Sequence, residues 1–194
     1  MGDIRGVFEQ SAANLLAACD VAYAARVEEV IDLLVRTFRG GGKLLIFGNG
    51  GSAADAMHIA GELAGRFNMN RPGLPAVALG CNMALATAWS NDHTFETIFA
   101  REIEALGKPG DVAWGISTSG NSPNVVLGCE RARRNGLKTI GLTGAGGGDL
   151  GTHCDILLAP EVGETPRIQE VHLVTYHAIC AGVEDSLFGA GVPK

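Results

Sequence analysis

A histidine and a glutamate four residues apart, His58 and Glu62, follow a short glycine-rich segment of the sequence. In a helix, residues at this spacing lie on the same face, so both side chains would point in one direction. The segment before them, residues 48–52, reads GNGGS and comes directly after the apolar run LLIF at residues 44–47. We call residues 48–52 the glycine turn. The His58 and Glu62 pair is open to three interpretations: a pair of metal ligands, an acid–base pair or a surface ion pair.

A strand, a glycine turn and a helix N-terminus together form a common site for anions, because free backbone N–H groups and the helix dipole face the ligand. We predict a strand at residues 44–47 and a helix at residues 53–67, with Ser52 as its cap. That helix is apolar nearly all round, so we expect it to be buried, and a buried glutamate needs a partner. The turn fits the pattern G-x-G-x-x-A, but no carboxylate follows the second predicted strand to bind a ribose. The alternative is a tight turn with a structural role alone.

A second polar segment, residues 117–122, reads STSGNS and follows the apolar residues 112–116. We call it the phosphate loop, because hydroxyl groups and backbone N–H groups before a helix form a compact site for a phosphate monoester. The alternative is a hydroxyl-rich cap that serves only the helix. The presence of two such loops favours a binding site.

The last predicted helix carries Gln169 and His177, eight residues apart. At the helical repeat they differ by about 80° in direction and about 12 Å along the axis. They therefore either contact different ends of one substrate or lean towards a ligand that lies along the helix. His172, in the same helix, is more typical of a surface or core histidine.

From residue 43 onward, short apolar runs alternate with helical patterns, which is typical of a parallel sheet with helices on both faces. Residues 3–39 read as two further helices, which could pack on this sheet or against another subunit. In such sheets, ligands bind beyond the carboxyl ends of the strands, where the glycine turn and the phosphate loop would both lie. The predicted strands are residues 44–47, 75–79, 111–116, 138–142 and 155–159, and the helices after the N-terminal pair are 53–67, 92–106, 121–134 and 166–187, with a short turn near 148–152.

The chain has 194 residues and a net charge of −6, and we expect one domain over residues 1–194, made of a helical pair (1–39) and an α/β core (40–194). No basic run would neutralise a nucleic-acid backbone, so the composition argues against a nucleic-acid partner. Five scattered cysteines without a CxxC pair indicate neither a disulfide framework nor a zinc finger. With no signal sequence and no apolar run of about 20 residues, we expect a cytoplasmic protein that does not enter a membrane.

The sequence resembles the sugar isomerase (SIS) domain family over nearly its whole length from about residue 40. The residues that carry the resemblance are GNGGSAADAMHIAGELAGRF, SND, GISTSGNSPNV, GLTG and RIQEVH, together with His177. The loops alone are shared by many members, whereas the combination of His58, Glu62, Gln169 and His177 is much more specific. The resemblance implies a three-layer αβα sandwich with a five-stranded parallel, flavodoxin-like sheet and additional N-terminal helices.

Within that family the sequence is most similar to members that interconvert sedoheptulose 7-phosphate and D-glycero-D-manno-heptose 7-phosphate, an early step towards the heptose of bacterial lipopolysaccharide or capsule. The resemblance implies a homotetramer with active sites at subunit contacts and a phosphosugar as the partner molecule. It implies that the phosphate is held by Ser117, Thr118, Ser119 and Ser122. The sugar would be contacted by Asn49, Gly50, Gly51, Ser52, Asp55, Glu62, Arg66, Asn91, Asp92 and Gln169.

The resemblance also implies one zinc ion per subunit, held by His58, Glu62, Gln169 and His177. For the reaction we expect Glu62 to move a proton between C1 and C2 through an enediolate, with His177 as the group that opens the ring or protonates an oxygen. The ligand and base roles of Glu62 compete, because a carboxylate bound to zinc is a weaker base. This chain departs from some relatives at two places: it has Pro166 where they have an acidic residue, and residues 80–84 are less rich in hydroxyl groups. Both differences affect individual contacts with the sugar hydroxyls and not the reaction class.

Two alternatives stay open at this point. One SIS relative in bacteria associates with the replication initiator protein, so this chain could be a binding module without catalysis. It could also isomerise another phosphosugar, because the phosphate loop contacts only one end of the ligand.

Overall fold

The computed structural model describes residues 3–190, and a five-stranded parallel sheet forms its centre. The strand order is β2-β1-β3-β4-β5, and every neighbouring pair is parallel. All five predicted strands are confirmed, with ends that differ by no more than one residue. The strands are β1 (Leu44–Gly48), β2 (Ala76–Ala78), β3 (Val112–Ile116), β4 (Lys138–Leu142) and β5 (Ile156–Leu158). The ends of the predicted domain, residues 1–2 and 191–194, lie outside the described residues.

Helices cover both faces of the sheet. The helices are α1 (Ile4–Ala18), α2 (Val21–Arg39), α3 (Gly51–Ala64), α4 (Met83–Asp92), α5 (Ile98–Leu106), α6 (Pro123–Arg134) and α7 (Thr165–Phe188). On β1, Leu44 and Ile46 point into the core beneath α2, α3 and α7, while Leu45 and Phe47 point into the core beneath α4, α5 and α6. Because both faces are covered, the strand is a continuous apolar run. The predicted fold class is confirmed.

The predicted N-terminal helical pair is confirmed, but its two helices differ in packing. Helix α2 packs on the sheet of its own chain, with Val30 and Leu34 fully buried. Helix α1 buries only Ala18, and its apolar side chains Ile4 and Phe8 are 66% and 73% exposed. None of the helices within residues 3–190 is long and apolar enough to cross a membrane.

The prediction that Ser52 caps the first helix of the core is wrong. Helix α3 begins at Gly51, one residue before Ser52, and ends at Ala64. Its N-cap is Gly50, which has a φ of 55°, a conformation that favours glycine. Ser52 is therefore inside the first turn, where it is buried and makes no capping hydrogen bond.

The expectation that α3 is buried all round is also wrong in this chain. Its buried residues, Ser52, Ala56, Ile59 and Leu63, recur every three or four positions and form one face towards the sheet. Met57, on another face, is 52% exposed. The face with His58 and Glu62 therefore remains accessible.

The helix predicted at residues 92–106 is in fact the end of one helix, a short 3-10 turn (Phe95–Thr97) and a second helix. The prediction missed α4, which begins after Asn82, where the Asn82 side chain accepts the N–H of Leu85. The chain leaves the helical conformation at His93, which has a φ of −129° and a ψ of −108°, and α5 then begins at Ile98. The predicted helices at 121–134 and 166–187 are confirmed as α6 and α7, and the turn near 148–152 is a 3-10 helix, Asp149–His153.

Candidate active site

The glycine turn and the phosphate loop lie side by side at the carboxyl edge of the sheet. Gly48 ends β1 and pairs in register with Ile116, the last residue of β3. Ile116 in turn pairs with Leu142, the last residue of β4, so the loop that begins at Thr143 reaches the same edge. The sequence prediction that these polar loops share one edge is confirmed, and it follows from parallel strands ending together.

The glycine turn brings backbone very close to its neighbours. A Cβ atom on Gly48 would lie 2.8 Å from the carbonyl oxygen of Ile116, and one on Gly51 would meet the side-chain amide of Gln169. Residues of the turn line two cavities: one of about 500 Å³ includes Gly51, Asp55 and Gln169, and one of about 370 Å³ includes Asn49. The first is large enough for a small phosphosugar and is lined by residues predicted to contact one.

The phosphate loop is held by hydrogen bonds among its own hydroxyl groups. Ser117 Oγ lies 2.9 Å from Ser122 Oγ and 3.4 Å from Ser119 Oγ, and Ser119 Oγ accepts the N–H of Asn121. The backbone N–H groups of Thr118, Ser119 and Ser122 find no acceptor within residues 3–190. Together with the start of α6, they form a set of donors suited to a phosphate group.

Three side chains converge on the open faces of α3 and α7. His58 Nε2 lies 3.1 Å from Glu62 Oε1 and 3.5 Å from His177 Nε2. One possible ligand atom from each residue lies within 4.8 Å of the others. We call these three residues the His–Glu–His group. The side chains of His58 and Glu62 are 41% and 24% exposed, so a ligand can reach them.

The spacing of the His–Glu–His group fits a metal ion. Two imidazole nitrogens and a carboxylate oxygen are a donor set that Zn²⁺ accepts in tetrahedral geometry. With bonds of roughly 2.0–2.1 Å, a tetrahedral ion separates its ligand atoms by about 3.3 Å. The distances from His58 Nε2 to Glu62 Oε1 and to His177 Nε2, 3.1 Å and 3.5 Å, lie on either side of that value, and the atoms of the third pair, Glu62 and His177, lie within 4.8 Å of each other.

Comparison with known proteins connects this site to a family. The SIS domain model matches residues 7–144, and the phosphoheptose isomerase of Crocosphaera subtropica is 55% identical over 166 residues, which is 86% of this chain and 85% of the relative. The chain belongs to the phosphoheptose isomerase family of SIS domain proteins. The resemblance seen in the sequence is confirmed.

Solved structures agree with the family. The phosphoheptose isomerase of Neisseria gonorrhoeae has a TM-score of 0.88 at 36% identity, over 94% of this chain and 97% of that chain. The enzyme of Francisella tularensis has a TM-score of 0.90 at 34% identity, over 94% and 96%. The five-stranded fold and the additional N-terminal helices are therefore those of phosphoheptose isomerases.

A tyrosine contacts the ring nitrogen of His58 that does not face Glu62 and His177. The Tyr176 hydroxyl lies 3.0 Å from His58 Nδ1 and 3.4 Å from Asp55 Oδ1. Burial raises the pKa of Tyr176 well above its ordinary value, and burial also raises the pKa of Asp55. Asp55 Oδ2 is buried without a partner within residues 3–190. The predicted sugar contact of Asp55 stays a prediction, but its other oxygen already faces Tyr176.

Gln169 lies apart from the His–Glu–His group. Its amide is packed on Gly51, the first residue of α3. Gly51 precedes His58 by seven residues, or about 10 Å along the helix. In this chain Gln169 therefore contacts the start of α3 and His177 contacts its middle, at His58. Whether Gln169 binds metal stays a prediction.

Three further predicted site residues are exposed at or just after the ends of two helices. Arg66 is exposed after the end of α3, and Asn91 and Asp92 are exposed at the end of α4, where Asn91 Nδ2 donates to Asp92 Oδ1 over 3.0 Å. Their contacts with a sugar stay predictions. His172 is fully buried, 2.8 Å from the carbonyl oxygen of Thr143, so it is a core histidine.

A buried ion pair that the sequence analysis missed fixes the segment after α3. Arg71 and Glu184 have side chains that are 2% and 1% exposed, and Arg71 Nε donates to Glu184 Oε1 over 2.9 Å. Burial raises the pKa of Glu184, but hydrogen bonds from the backbone N–H groups of residues 67–69 and from Arg71 outweigh it, so this pKa is lowered. Arg71 also donates to the carbonyl oxygen of Glu62 over 2.8 Å. The pair anchors the end of α3 to α7, beside the His–Glu–His group.

Local sequence patterns indicate some of these supporting residues and not others. Tyr176 directly precedes His177, and a tyrosine beside a candidate ligand is a usable signal. Asn124, which contacts Asn49 through its side chain, stands in the motif STSGNSPN. Arg71 and Glu184 are 113 residues apart, and no local pattern connects them.

Proposed function

We propose that this protein is an aldose–ketose isomerase that interconverts sedoheptulose 7-phosphate and D-glycero-D-manno-heptose 7-phosphate. The observation that carries the proposal is a phosphate loop beside the glycine turn and a His–Glu–His group on the helix that this turn begins, in a chain 55% identical to a phosphoheptose isomerase. A phosphate held at one end of the ligand leaves the other end of a sugar free to reach acid–base groups. The relatives' name supplies the seven-carbon substrate.

The reaction moves one proton between adjacent carbons and one between their oxygens. Glu62, as a carboxylate, would take a proton from C1 of the ketose and return it to C2 through a cis-enediolate. His177 would pass a proton between the two oxygens and assist ring opening, because an imidazole both donates and accepts near neutral pH. Since no protein group is consumed, the chain returns to its starting protonation state after each turnover.

A zinc ion fits the donor set, and His58, Glu62 and His177 would hold it. The family resemblance implies Gln169 as a fourth ligand, and its amide, which packs on Gly51 here, would have to turn towards the group to reach the ion. When bound, zinc would supply a Lewis acid that polarises the two sugar oxygens. The position of Tyr176 against His58 Nδ1 supports this proposal, because ligating histidines are usually oriented through their second nitrogen.

We further propose that the single domain works as a homotetramer with its active sites at subunit contacts. Exposed apolar side chains support an interface next to the site: Leu173 and Val174 on α7 are 41% and 50% exposed and line the same cavity as Gln169. Ser11 and Leu15 of α1 line it too. Light scattering that gives a monomer at micromolar concentration would contradict this assembly. We place the enzyme in the cytoplasm, in the supply of heptose for lipopolysaccharide or capsule.

A substrate panel tests the proposal. Purified protein is incubated with sedoheptulose 7-phosphate, fructose 6-phosphate or ribulose 5-phosphate, and the aldose is detected by proton NMR. We expect the seven-carbon ketose to react at least ~10-fold faster, because a shorter sugar leaves one or more hydrogen-bonding groups of the site unpaired. Faster turnover of a shorter ketose would assign the chain to another phosphosugar.

A further inference from the structure

The glycine turn and the phosphate-loop helix are joined by two asparagine side chains. Asn49 Nδ2 donates to Asn124 Oδ1, and Asn124 Nδ2 donates to Asn49 Oδ1, each over 2.8 Å. The two residues are 75 positions apart in the sequence. We call this reciprocal pair the asparagine clasp. It is a direct side-chain connection between the glycine turn and α6, the helix that follows the phosphate loop.

Burial makes the amide of Asn124 depend on its partner, whereas Asn49 is only half-buried. Asn124 is 2% exposed, and within residues 3–190 neither amide makes another side-chain hydrogen bond. A buried amide without a partner loses much of the free energy that water would have supplied. Removal of Asn49 therefore leaves one donor and one acceptor of the buried Asn124 unpaired, and removal of Asn124 releases the half-buried Asn49 amide from the position in which the clasp holds it.

The position of the clasp gives it a function beyond stability. The sheet already fixes where the two loops begin, because Gly48 and Ile116 are register partners. It does not fix the distance between the glycine turn and the start of α6, which follows the phosphate loop. Asn124 lies in the first turn of α6, two residues after Ser122, and its bond to Asn49 spans that distance.

We propose that Asn124 is a positioning residue that sets, through Asn49, the separation between the phosphate site and the sugar site. The inference rests on the proposed function, because it concerns a ligand that contacts both loops. It also assigns a role to the Asn49 side chain: it holds Asn124, and the turn presents its backbone to the sugar. A ligand that contacts both loops depends on the clasp, and a ligand that contacts only the phosphate loop does not.

The test compares two ligands across four variants in a common Glu62→Gln background, in which substrate binding is measured without turnover. The variants are Asn49→Ala, Asn124→Ala, the double variant, and Asn135→Ala as a matched control at the other end of α6. Calorimetry gives the Kd of sedoheptulose 7-phosphate and of inorganic phosphate. Each single clasp variant should raise the Kd of the phosphosugar about 10-fold or more, the range expected for a broken buried pair.

The double variant should bind the phosphosugar within about threefold of either single variant, since the first substitution already breaks the clasp. The Kd of inorganic phosphate should stay within about threefold of the parent in every variant, and Asn135→Ala should bind both ligands as the parent does. If Asn124→Ala does not fold, Asn124→Asp replaces it. This variant keeps the volume but sets a carboxylate against Asn49 Oδ1, and it should weaken phosphosugar binding in the same way.

Several results would overturn the inference. Asn49→Ala could weaken binding while the Asn124 variants do not, which would mean that Asn49 contacts the sugar directly. The effects of the two substitutions on the Kd of the phosphosugar could multiply in the double variant, or the Kd of both ligands could rise equally. Either result would mean that the clasp only stabilises the fold. Turnover of the unmutated chain is measured alongside. If the variants bind as expected but the unmutated chain shows no turnover, the isomerase proposal is refuted and the positioning role of Asn124 stands. If the parent binds phosphate but not the phosphosugar, both the isomerase proposal and the positioning role are refuted.

Discussion

Replacing Tyr176 with phenylalanine should weaken metal binding at the His–Glu–His group while the chain stays folded. The residue is 0% exposed, and its hydroxyl lies 3.0 Å from His58 Nδ1. His58 Nε2 faces Glu62 and His177, so Nδ1 is the nitrogen through which the ring is oriented. The substitution removes one oxygen and keeps the ring that packs against both histidines.

The size of the effect follows from the role of that hydroxyl. Loss of a hydrogen-bond partner behind a metal-ligating histidine typically lowers metal affinity ~10–100-fold, or ~1.4–2.7 kcal/mol. The free energy of unfolding should fall by ~1–3 kcal/mol, because the hydroxyl also donates to Asp55 Oδ1 and its loss leaves that oxygen without this partner. Tyr23→Phe is the matched control. It removes a half-buried hydroxyl of α2 that lies 3.0 Å from Thr175 Oγ1, next to Tyr176 on α7, and that contacts none of the candidate metal ligands.

The assay is competition of the metal-free protein with a chromophoric zinc chelator, and circular dichroism monitors folding. We expect Tyr176→Phe to lose zinc affinity and Tyr23→Phe to keep it. The reasoning is refuted if Tyr176→Phe binds zinc within twofold of the parent. It is equally refuted if the two variants lose the same affinity, since the effect would then be general loosening of α7.

Further predictions concern catalysis, acid stability and the anchor of α3. Glu62→Gln should lower turnover ~10²–10⁴-fold, the usual contribution of a general base, with an unchanged thermal midpoint; near-parental turnover would remove Glu62 from the mechanism. Burial lowers the pKa of His172 to about 4 from 6.5. The unfolded chain therefore binds this proton first as the pH falls, and stability contributed by neutral His172 is present above pH 6.5 and lost towards pH 4. Urea unfolding should show that the free energy of unfolding falls by roughly 2 kcal/mol between pH 7 and pH 5, and that this fall is largely absent in His172→Gln. The same pH dependence in that variant would show that other groups are responsible. Glu184→Ala should cost ~3–5 kcal/mol because it leaves Arg71 buried and unpaired. Because the pKa of Glu184 is lowered in the folded chain, the stability that this carboxylate contributes is present above the ordinary glutamate pKa of 4.5. That stability is lost as the pH falls below about 4.5. A loss of stability that begins near pH 6 would not come from this group.

The sequence predicted the sheet well because its signals are local. Five short apolar runs separated by helical patterns are enough to indicate a parallel sheet, and parallel strands necessarily bring the loops after residues 47 and 116 to one edge. The pairing of His58 and Glu62 was visible because helical spacing is short range. Their approach to His177 also depends on how α7 packs on α3, which no local pattern shows, and it was found through family resemblance.

The errors have physical causes. The helix start was placed at Ser52 because serine is a common cap, whereas the backbone at Gly50 has a positive φ that only glycine adopts easily. Helix α4, Met83–Asp92, was missed because it is only ten residues long and mixes apolar with polar residues, none of which is buried. The clasp between Asn49 and Asn124 and the pair of Arg71 and Glu184 join distant segments. Only the folded chain brings such partners together.

Proton NMR of the purified protein with sedoheptulose 7-phosphate in D2O, with and without a zinc chelator, tests the central claim most directly. The account predicts an aldose that carries deuterium at C2, because the proton moves through an enediolate that exchanges with solvent, and loss of product when zinc is removed. Full turnover after complete zinc removal would leave Glu62 and His177 as acid–base groups without metal. No aldose in the presence of zinc would contradict the isomerase assignment and favour a binding protein built on the same fold.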